Sequence, residues 1–190
     1  MRLVLASTSP YRRELLARLG LDFDTLAPEV DETLTAGESP EQAVARLAAT
    51  KARVGAEQAP AAIIVASDQL ASLNGQALGK PGSFEAATDQ LTAMAGQEIL
   101  YCTALVVQAP DGTVANHTDL SRVHLRKLSP QEIERYLTVE RPFDCAGALK
   151  LERLGIGLCE RIETSDPTAL IGLPLIAAAR LLREQGFAIP

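Results

Sequence analysis

The chain has 190 residues, of which 47% are hydrophobic and 22% charged, and carries a formal net charge of −6. That composition suits an ordinary globular protein with room for a real core, and it predicts a single domain over residues 1–190. No basic run occurs, so neither a nucleic-acid polymer nor an anionic membrane is an expected partner, and any positive site must be local.

The opening, MRLVLAST, is too short and polar for a signal peptide, and Leu3 to Ala6 reads as a first buried strand. Next comes "STSPYRRELLARLG", with Ser9 as helix N-cap, Pro10 as first helical residue, and Gly20 as the stop. Arg12 and Arg13 then fall in the first turn, beside the positive end of the helix dipole, where cations are mildly unfavourable. Two readings follow. The arginines are solvated surface charges next to a cap, or they wait for an anion with the hydroxyls of Ser7, Thr8 and Ser9 and the unpaired N–H groups of that turn.

"VDET" supplies Asp31 and Glu32 before a second helix, which opens on a capping box of Ser39, Pro40 and Gln42. Its apolar stripe runs Val44, Leu47, Ala48 and Val54, and Lys51 falls on it. A lysine there must snorkel, find a carboxylate, or face a ligand. "AAIIVASD" is a continuous apolar strand ending at Asp68, where open α/β sheets place their ligands. Such a carboxylate binds metal or acts as a base, unless Ser67 and Asp68 simply turn the chain.

"LASLNGQAL" predicts a hairpin around Asn74-Gly75, and "GKP" puts Lys80 in a stiff turn. Ser83 to Ala95 is a third helix stopped by Gly96. Two long antiparallel strands meet at Asp111-Gly112, and "SPQEIERYL" starts another helix with Ser129 and Glu132 as a capping box. If "ALKLE" is extended, Lys150 and Glu152 share one face. "GIGLCERIE" is a last strand, and Asp166-Pro167 and Pro174 to Gln185 give a closing helical region. The fold class is α/β with a mixed parallel/antiparallel sheet flanked by helices.

Cys102, Cys145 and Cys159 are odd in number and show no CxxC spacing, which argues for a reduced compartment and makes the cytoplasm the default location. No apolar run approaches ~20 residues, so no membrane span is expected. His117 and His124 stand isolated, and neither a P-loop nor a Rossmann glycine pattern is present.

Ser7-Thr8-Ser9-Pro10-Tyr11-Arg12-Arg13-Glu14-Leu15-Leu16 resembles the pattern S-x-S-P-R-R-x-E-L-L of the Maf family of nucleoside triphosphate pyrophosphatases. "PEVDET", "ASDQ", "GKP" and "CAGALKLE" through "GLPL" resemble further blocks of that family in the same order, so the likeness covers essentially the whole chain. The resemblance implies a mixed α/β fold with a deep cleft, of the Maf/inosine triphosphatase type. It implies hydrolysis of a nucleotide between its α- and β-phosphates and a need for a divalent metal, magnesium or manganese. By the same resemblance Asp68 is the catalytic acid residue, Glu32 the second carboxylate and metal partner, and Arg12, Arg13, Lys51 and Lys80 the basic cluster. Ser7 and Ser9 join Arg12 and Arg13 at the phosphates.

Tyr11 stands where the general pattern has arginine, and Gln69 where many relatives have threonine. With Glu152, the set resembles the branch that hydrolyses 7-methyl-GTP, although the aromatic of that branch is often tryptophan. The chemistry is consistent. A cationic N7-methylguanine is attracted to an aromatic face by ~0.5–2 kcal/mol, and a carboxylate accepts from the guanine N1–H and N–H₂ together. The alternatives are a Maf enzyme for unmodified dTTP or UTP, and a noncatalytic nucleotide-binding regulator of cell division. Family members are often homodimers, which makes a homodimer an expectation by analogy alone.

Overall fold

The computed structural model describes all residues from Met1 to Pro190. Its sheet has seven strands: β1 (Arg2–Ala6), β2 (Asp24–Leu26), β3 (Ala62–Leu73), β4 (Gln76–Leu78), β5 (Glu98–Gln108), β6 (Val114–Leu125) and β7 (Cys159–Glu163). Their order is β2-β1-β3-β5-β6-β7, with β4 paired to β3. Strand β1 runs parallel to β2 and β3, whereas the β3/β4 and β6/β7 pairs are antiparallel, so the sheet is mixed as expected. The helices are α1 (Pro10–Ala17), α2 (Pro40–Gln58), α3 (Phe84–Met94), α4 (Pro130–Glu140) and α5 (Leu175–Glu184).

The chain forms two compact units. The first comprises Met1–Gln69, Thr103–Asp119 and Asp166–Pro190. In it the period-2 alternation of β1 and β3 sorts helices to the two faces of the sheet. Leu3, Leu5, Ile63 and Val65 form one core with Leu15 and Leu16 of α1 and Ala178, Leu181 and Leu182 of α5. The register Leu3↔Ile63 and Leu5↔Val65 stacks these residues in rows. On the alternate positions, Ala6 and Ile64 meet α2 at Gly55, where a Cβ would lie 2.9 Å from Ile64 Cγ2 and 3.0 Å from Ala6 Cβ. Strand order reverses at β1, with β2 on one side and β3 on the other. The carboxyl ends of β1 and of the β1-paired part of β3 therefore flank a topological switch point, the usual ligand crevice of open α/β sheets.

The second unit comprises Leu70–Cys102 and Leu120–Ser165. Asn74 and Gly75 both have positive φ, 51° and 80°, as the predicted type I′ hairpin requires. Ser129 and Glu132 form their capping box, and the Ser129 backbone N–H and hydroxyl, with Arg126, hold the Glu132 carboxyl down at about 2. The Ser9, Ser39 and Ser83 caps are likewise where the sequence predicts them.

The structure departs from the sequence reading, or adds to it, at four places. Strand β3 does not stop at Asp68 but runs on to Leu73. Ser67 Oγ lies within 2.9 Å of the carbonyls of Ala104 and Gly172, which share its one proton, and Asp68 pairs with Lys51, so these polar residues are satisfied without a turn. The short β2 carried no clear sequence signal. Residues Leu154–Leu158 are a 3-10 helix, which confines β7 to Cys159–Glu163. "ALKLE" is a turn rather than a strand, because Arg153 and Gly155 both donate their N–H to Lys150 O.

Helix α5 begins after Pro174 with no cap of its own. Its first N–H groups are satisfied by residues up to ten positions upstream: Leu175 N–H donates to Thr168 Oγ1 and Ile176 N–H to Asp166 Oδ2, each at 2.8 Å. Asp166 also accepts from the Thr168 hydroxyl at 2.6 Å and its backbone N–H at 2.9 Å. Asp166→Ala strips these acceptors from buried donors, and unfolding free energy should fall by roughly 2–4 kcal/mol, measured by denaturant titration.

Candidate active site

Helix α2 buries Val44, Leu47, Ala48, Lys51, Ala52 and Gly55 on one face. Lys51 thus enters the first unit among apolar neighbours, its side chain only 7% exposed. Of the outcomes open to it, it takes the carboxylates. Its Nζ lies 2.6 Å from Asp68 Oδ1 and 2.6 Å from Glu32 Oε1. Asp68 is buried on β3, whereas Glu32 comes from the segment between β2 and α2 and stays 63% exposed. The ammonium is therefore reached from the interior by one carboxylate and from the solvent side by the other.

Arg12 belongs to the same electrostatic group. Burial lowers its guanidinium pKa, opposed by the negative charge of Asp68 and then Glu32. Its Nε donates to Gly172 O at 2.9 Å, and no carboxylate is within ion-pair distance. Arg13 is exposed and also unpaired. The backbone of the loop has less to offer an anion than its sequence suggests. Arg12 N–H donates to Ser9 Oγ and Arg13 N–H to Ser9 O, so positive charge here resides on the two guanidinium groups. Ser7 Oγ accepts Ser9 N–H at 3.1 Å, which leaves the Ser7 hydroxyl proton to donate.

Gln69 follows Asp68 on β3. Its Nε2 donates to Ala169 O at 2.7 Å, Leu170 O at 3.1 Å and Thr103 Oγ1 at 3.1 Å. The amide donors are thus taken up by the 169–170 backbone, and Oε1 remains an acceptor. Tyr11 is half-buried on α1. The first unit accordingly contains Ser7, Ser9, Tyr11, Arg12, Arg13, Glu32, Lys51, Asp68 and Gln69, and it unites Glu32, Lys51, Asp68 and Arg12.

Lys80 and Glu152 belong to the second unit. Lys80 is exposed between Gly79 and Pro81, and Glu152 is exposed in the 151–153 turn. Neither makes an ion pair within the protein. His124, expected to stand alone, has Nε2 at 3.5 Å from Glu98 and 3.3 Å from Glu163, with Arg161 at 3.1 Å. The sequence gives Ser67 no role beyond a possible turn and does not single out Gly172. Gly172 has φ +123°, which only glycine adopts readily, and its carbonyl accepts from both Ser67 and Arg12. The "GLPL" block was the available signal.

No group of three or more His, Cys, Asp or Glu side chains is arranged to hold a metal ion. Asp68 and Glu32 nevertheless suit a hard divalent cation that takes one or two protein carboxylates and completes its shell with phosphate oxygens and water.

The Maf-like protein family matches residues 2–185. A 7-methyl-GTP pyrophosphatase of Xanthomonas campestris is 56% identical over 189 residues, covering 100% of this chain and 98% of that protein. One from Albidiferax ferrireducens is 49% identical over 190 residues, covering 99% and 95%. Among solved structures, a nucleoside-triphosphatase / dITP/XTP pyrophosphatase from Mycobacterium abscessus aligns with 67% of this chain and 76% of its own, at 18% identity and TM-score 0.43. With near full-length identity of this order and the motif residues in place, the chain belongs to the Maf family.

Proposed function

We propose that the protein is a nucleotide pyrophosphatase that hydrolyses 7-methyl-GTP to 7-methyl-GMP and pyrophosphate, with residues 1–190 acting as one Maf-like domain. The observation that carries the reading is Lys51, buried and shared at 2.6 Å by Asp68 and Glu32 beside the Arg12 guanidinium. The relatives named for 7-methyl-GTP support the choice of substrate.

In this mechanism water attacks the α-phosphorus, and the bond to the α,β-bridging oxygen breaks. Lys51 fixes Asp68 through Oδ1, and Oδ2 is left to accept the proton of the attacking water. Arg12 and Arg13 hold the leaving phosphates, joined by Lys80 and by the Ser7 and Ser9 hydroxyls. Asp68 and Glu32 would hold the divalent ion, which when bound supplies charge neutralisation at the phosphate oxygens. Tyr11 offers a face to the cationic base, Gln69 an acceptor, and Glu152 a carboxylate for the guanine N–H edge. A deep cleft would enclose the nucleotide. The enzyme would work in the cytoplasm, where Cys102, Cys145 and Cys159 stay free thiols, and as a homodimer by analogy with its family. No helix is long and apolar enough to cross a membrane.

Asp68→Asn is expected to keep the fold and lose roughly 10²-fold or more in turnover. Pyrophosphate release from a nucleotide panel with magnesium or manganese measures this. A folded mutant at wild-type rate removes Asp68 from the chemistry, and a wild-type protein that binds nucleotides without turnover is a regulator instead.

Lys51→Met strands two carboxylates, one of them buried. Stability should fall by about 1–3 kcal/mol. The Lys51→Met/Asp68→Asn double mutant should recover part of that loss in thermal melts, and strict additivity would show that the carboxylate is not its source.

Tyr11→Ala should lower kcat/KM for 7-methyl-GTP about 5- to 30-fold more than for GTP, because only the methylated base is a cation over the ring. An unchanged ratio would move the base away from Tyr11 and favour an unmodified nucleotide.

A further inference from the structure

The second unit contains a built device that the proposed chemistry does not use. Tyr136 and Glu140 lie one turn apart on α4 and so share a face. Both grip the segment that carries Glu152. Tyr136 Oη accepts Lys150 N–H at 3.0 Å and donates to Ala148 O at 3.1 Å. Glu140 Oε2 accepts Leu154 N–H at 3.2 Å. Its Oε1 lies 3.1 Å from Arg153 Nε and 3.9 Å from Lys150 Nζ. The segment also closes on itself, with Arg153 and Gly155 N–H both donating to Lys150 O. At Gly155 a Cβ would stand 2.6 Å from that same oxygen, so the closure tolerates no side chain there.

Glu140 is a costly residue at this place. Its side chain is 1% exposed, and it is the last residue of α4, where the helix dipole is unfavourable to an anion. Removing a carboxylate from water is repaid only by well-placed partners, and all of Glu140's named partners are in residues 150–154. Stability alone would be served as well by an apolar side chain packed at the same site. What the carboxylate adds is direction. The backbone on both sides of residue 152 is tied down, and Glu152 itself is exposed with no hydrogen bond or ion pair.

We propose that Glu140 and Tyr136 are positioning residues for base recognition: they fix the 148–155 turn so that the Glu152 carboxylate is presented ready to accept from the guanine edge. The inference rests on the reading of Glu152 given above. Preorganisation of this kind avoids the ordering cost that a free turn would incur on binding, and small misplacements of a reading group are expensive.

The test compares two probes on the full-length enzyme: kcat/KM for 7-methyl-GTP, which carries the base, and the inhibition constant of pyrophosphate, which does not. Glu140→Gln and Tyr136→Phe are each expected to lower kcat/KM about 3- to 30-fold while the pyrophosphate constant moves less than about twofold. Glu152→Gln should behave likewise. In the Glu152→Gln background, Glu140→Gln should add less than about twofold, because the group it positions is already impaired. A general loss of structure would weaken both probes together and overturn the proposal. So would a Glu140→Gln effect that persists in full without the Glu152 carboxylate. If Glu152→Gln is impaired and both Glu140→Gln and Tyr136→Phe are not, the positioning role falls while base reading stands. If Glu152→Gln is itself unimpaired, base reading falls and the proposal with it. Should Glu140→Gln fail to fold, Tyr136→Phe, which removes a single hydroxyl, decides by the same comparison in wild-type and Glu152→Gln backgrounds.

Discussion

A buried ammonium cannot remain uncompensated, and the first unit is organised around that constraint at Lys51. The Lys51 side chain is buried on the apolar stripe of α2, and two carboxylates compensate its charge. One arrives on β3 as Asp68. The other, Glu32, sits in a segment without regular structure. Lys51 holds it at 2.6 Å, and Arg46, five residues earlier on α2, reaches the same connection through Glu38 at 2.7 Å and Thr33 O at 3.2 Å. Arg46 keeps the Glu38 carboxyl down at about 2, so this attachment persists over a wide pH range. Helix α2 is thereby a platform for the strand that carries one carboxylate and for the loop that carries the other.

A second point of convergence is the carbonyl of Gly172. It accepts from Arg12 Nε and Ser67 Oγ, while the neighbouring carbonyls of Ala169 and Leu170 accept from Gln69. One loop therefore orients a guanidinium assigned to phosphate and an amide assigned to the base. The loop is in turn anchored where Asp166 and Thr168 receive the first N–H groups of α5. The consequence for Gln69 is chemical. With its donors spent on Ala169 O, Leu170 O and Thr103 Oγ1, the side chain has only its Oε1 acceptor left to offer a ligand.

Local signals were legible and convergent ones were not. Ser9, Ser39, Ser83 and Ser129 were readable as caps because a cap is decided within four residues. The Asn74-Gly75 turn was readable because two consecutive positive φ values leave few other choices. Lys51 could be singled out from periodicity, yet its choice among three outcomes depended on Glu32 and Asp68, which lie 19 and 17 positions away. The end of β3 is not legible locally: Ser67 and Asp68 look like a polar stop, and only distant acceptors and a distant lysine make them compatible with a strand. Glu140 showed no signal at all, since a glutamate near a helix end is usually solvated, and its burial comes from a turn ten to fourteen residues on. The curl of "ALKLE" has the same origin: Leu149 and Leu151 are buried and Glu152 exposed as alternation predicts, but the hydrogen bonds that curl the chain come from Tyr136, Glu140 and Gly155.

Charge balance links these pieces to the proposed chemistry. Lys51 is the most central cation of the first unit, but Asp68 and Glu32 together outweigh it by one negative charge. It therefore contributes orientation to the carboxylates more than attraction to a polyphosphate. Arg12 and Arg13 carry the remaining positive charge, and only Arg12 is fixed, through Gly172. A nucleoside triphosphate brings roughly four negative charges near neutral pH. The two guanidinium groups, even with the Lys80 ammonium proposed to join them, cannot balance that load beside a net negative carboxylate pair. Two routes restore balance, and the proposed reading uses both. A divalent cation taken by Asp68 and Glu32 turns the pair from a repulsive feature into an attractive one. A cationic base offsets part of the substrate's own negative charge, which lowers the load the protein must balance. The same arrangement would hold an uncharged base less well, because it would leave the exposed carboxylate of Glu152 with hydrogen bonds alone.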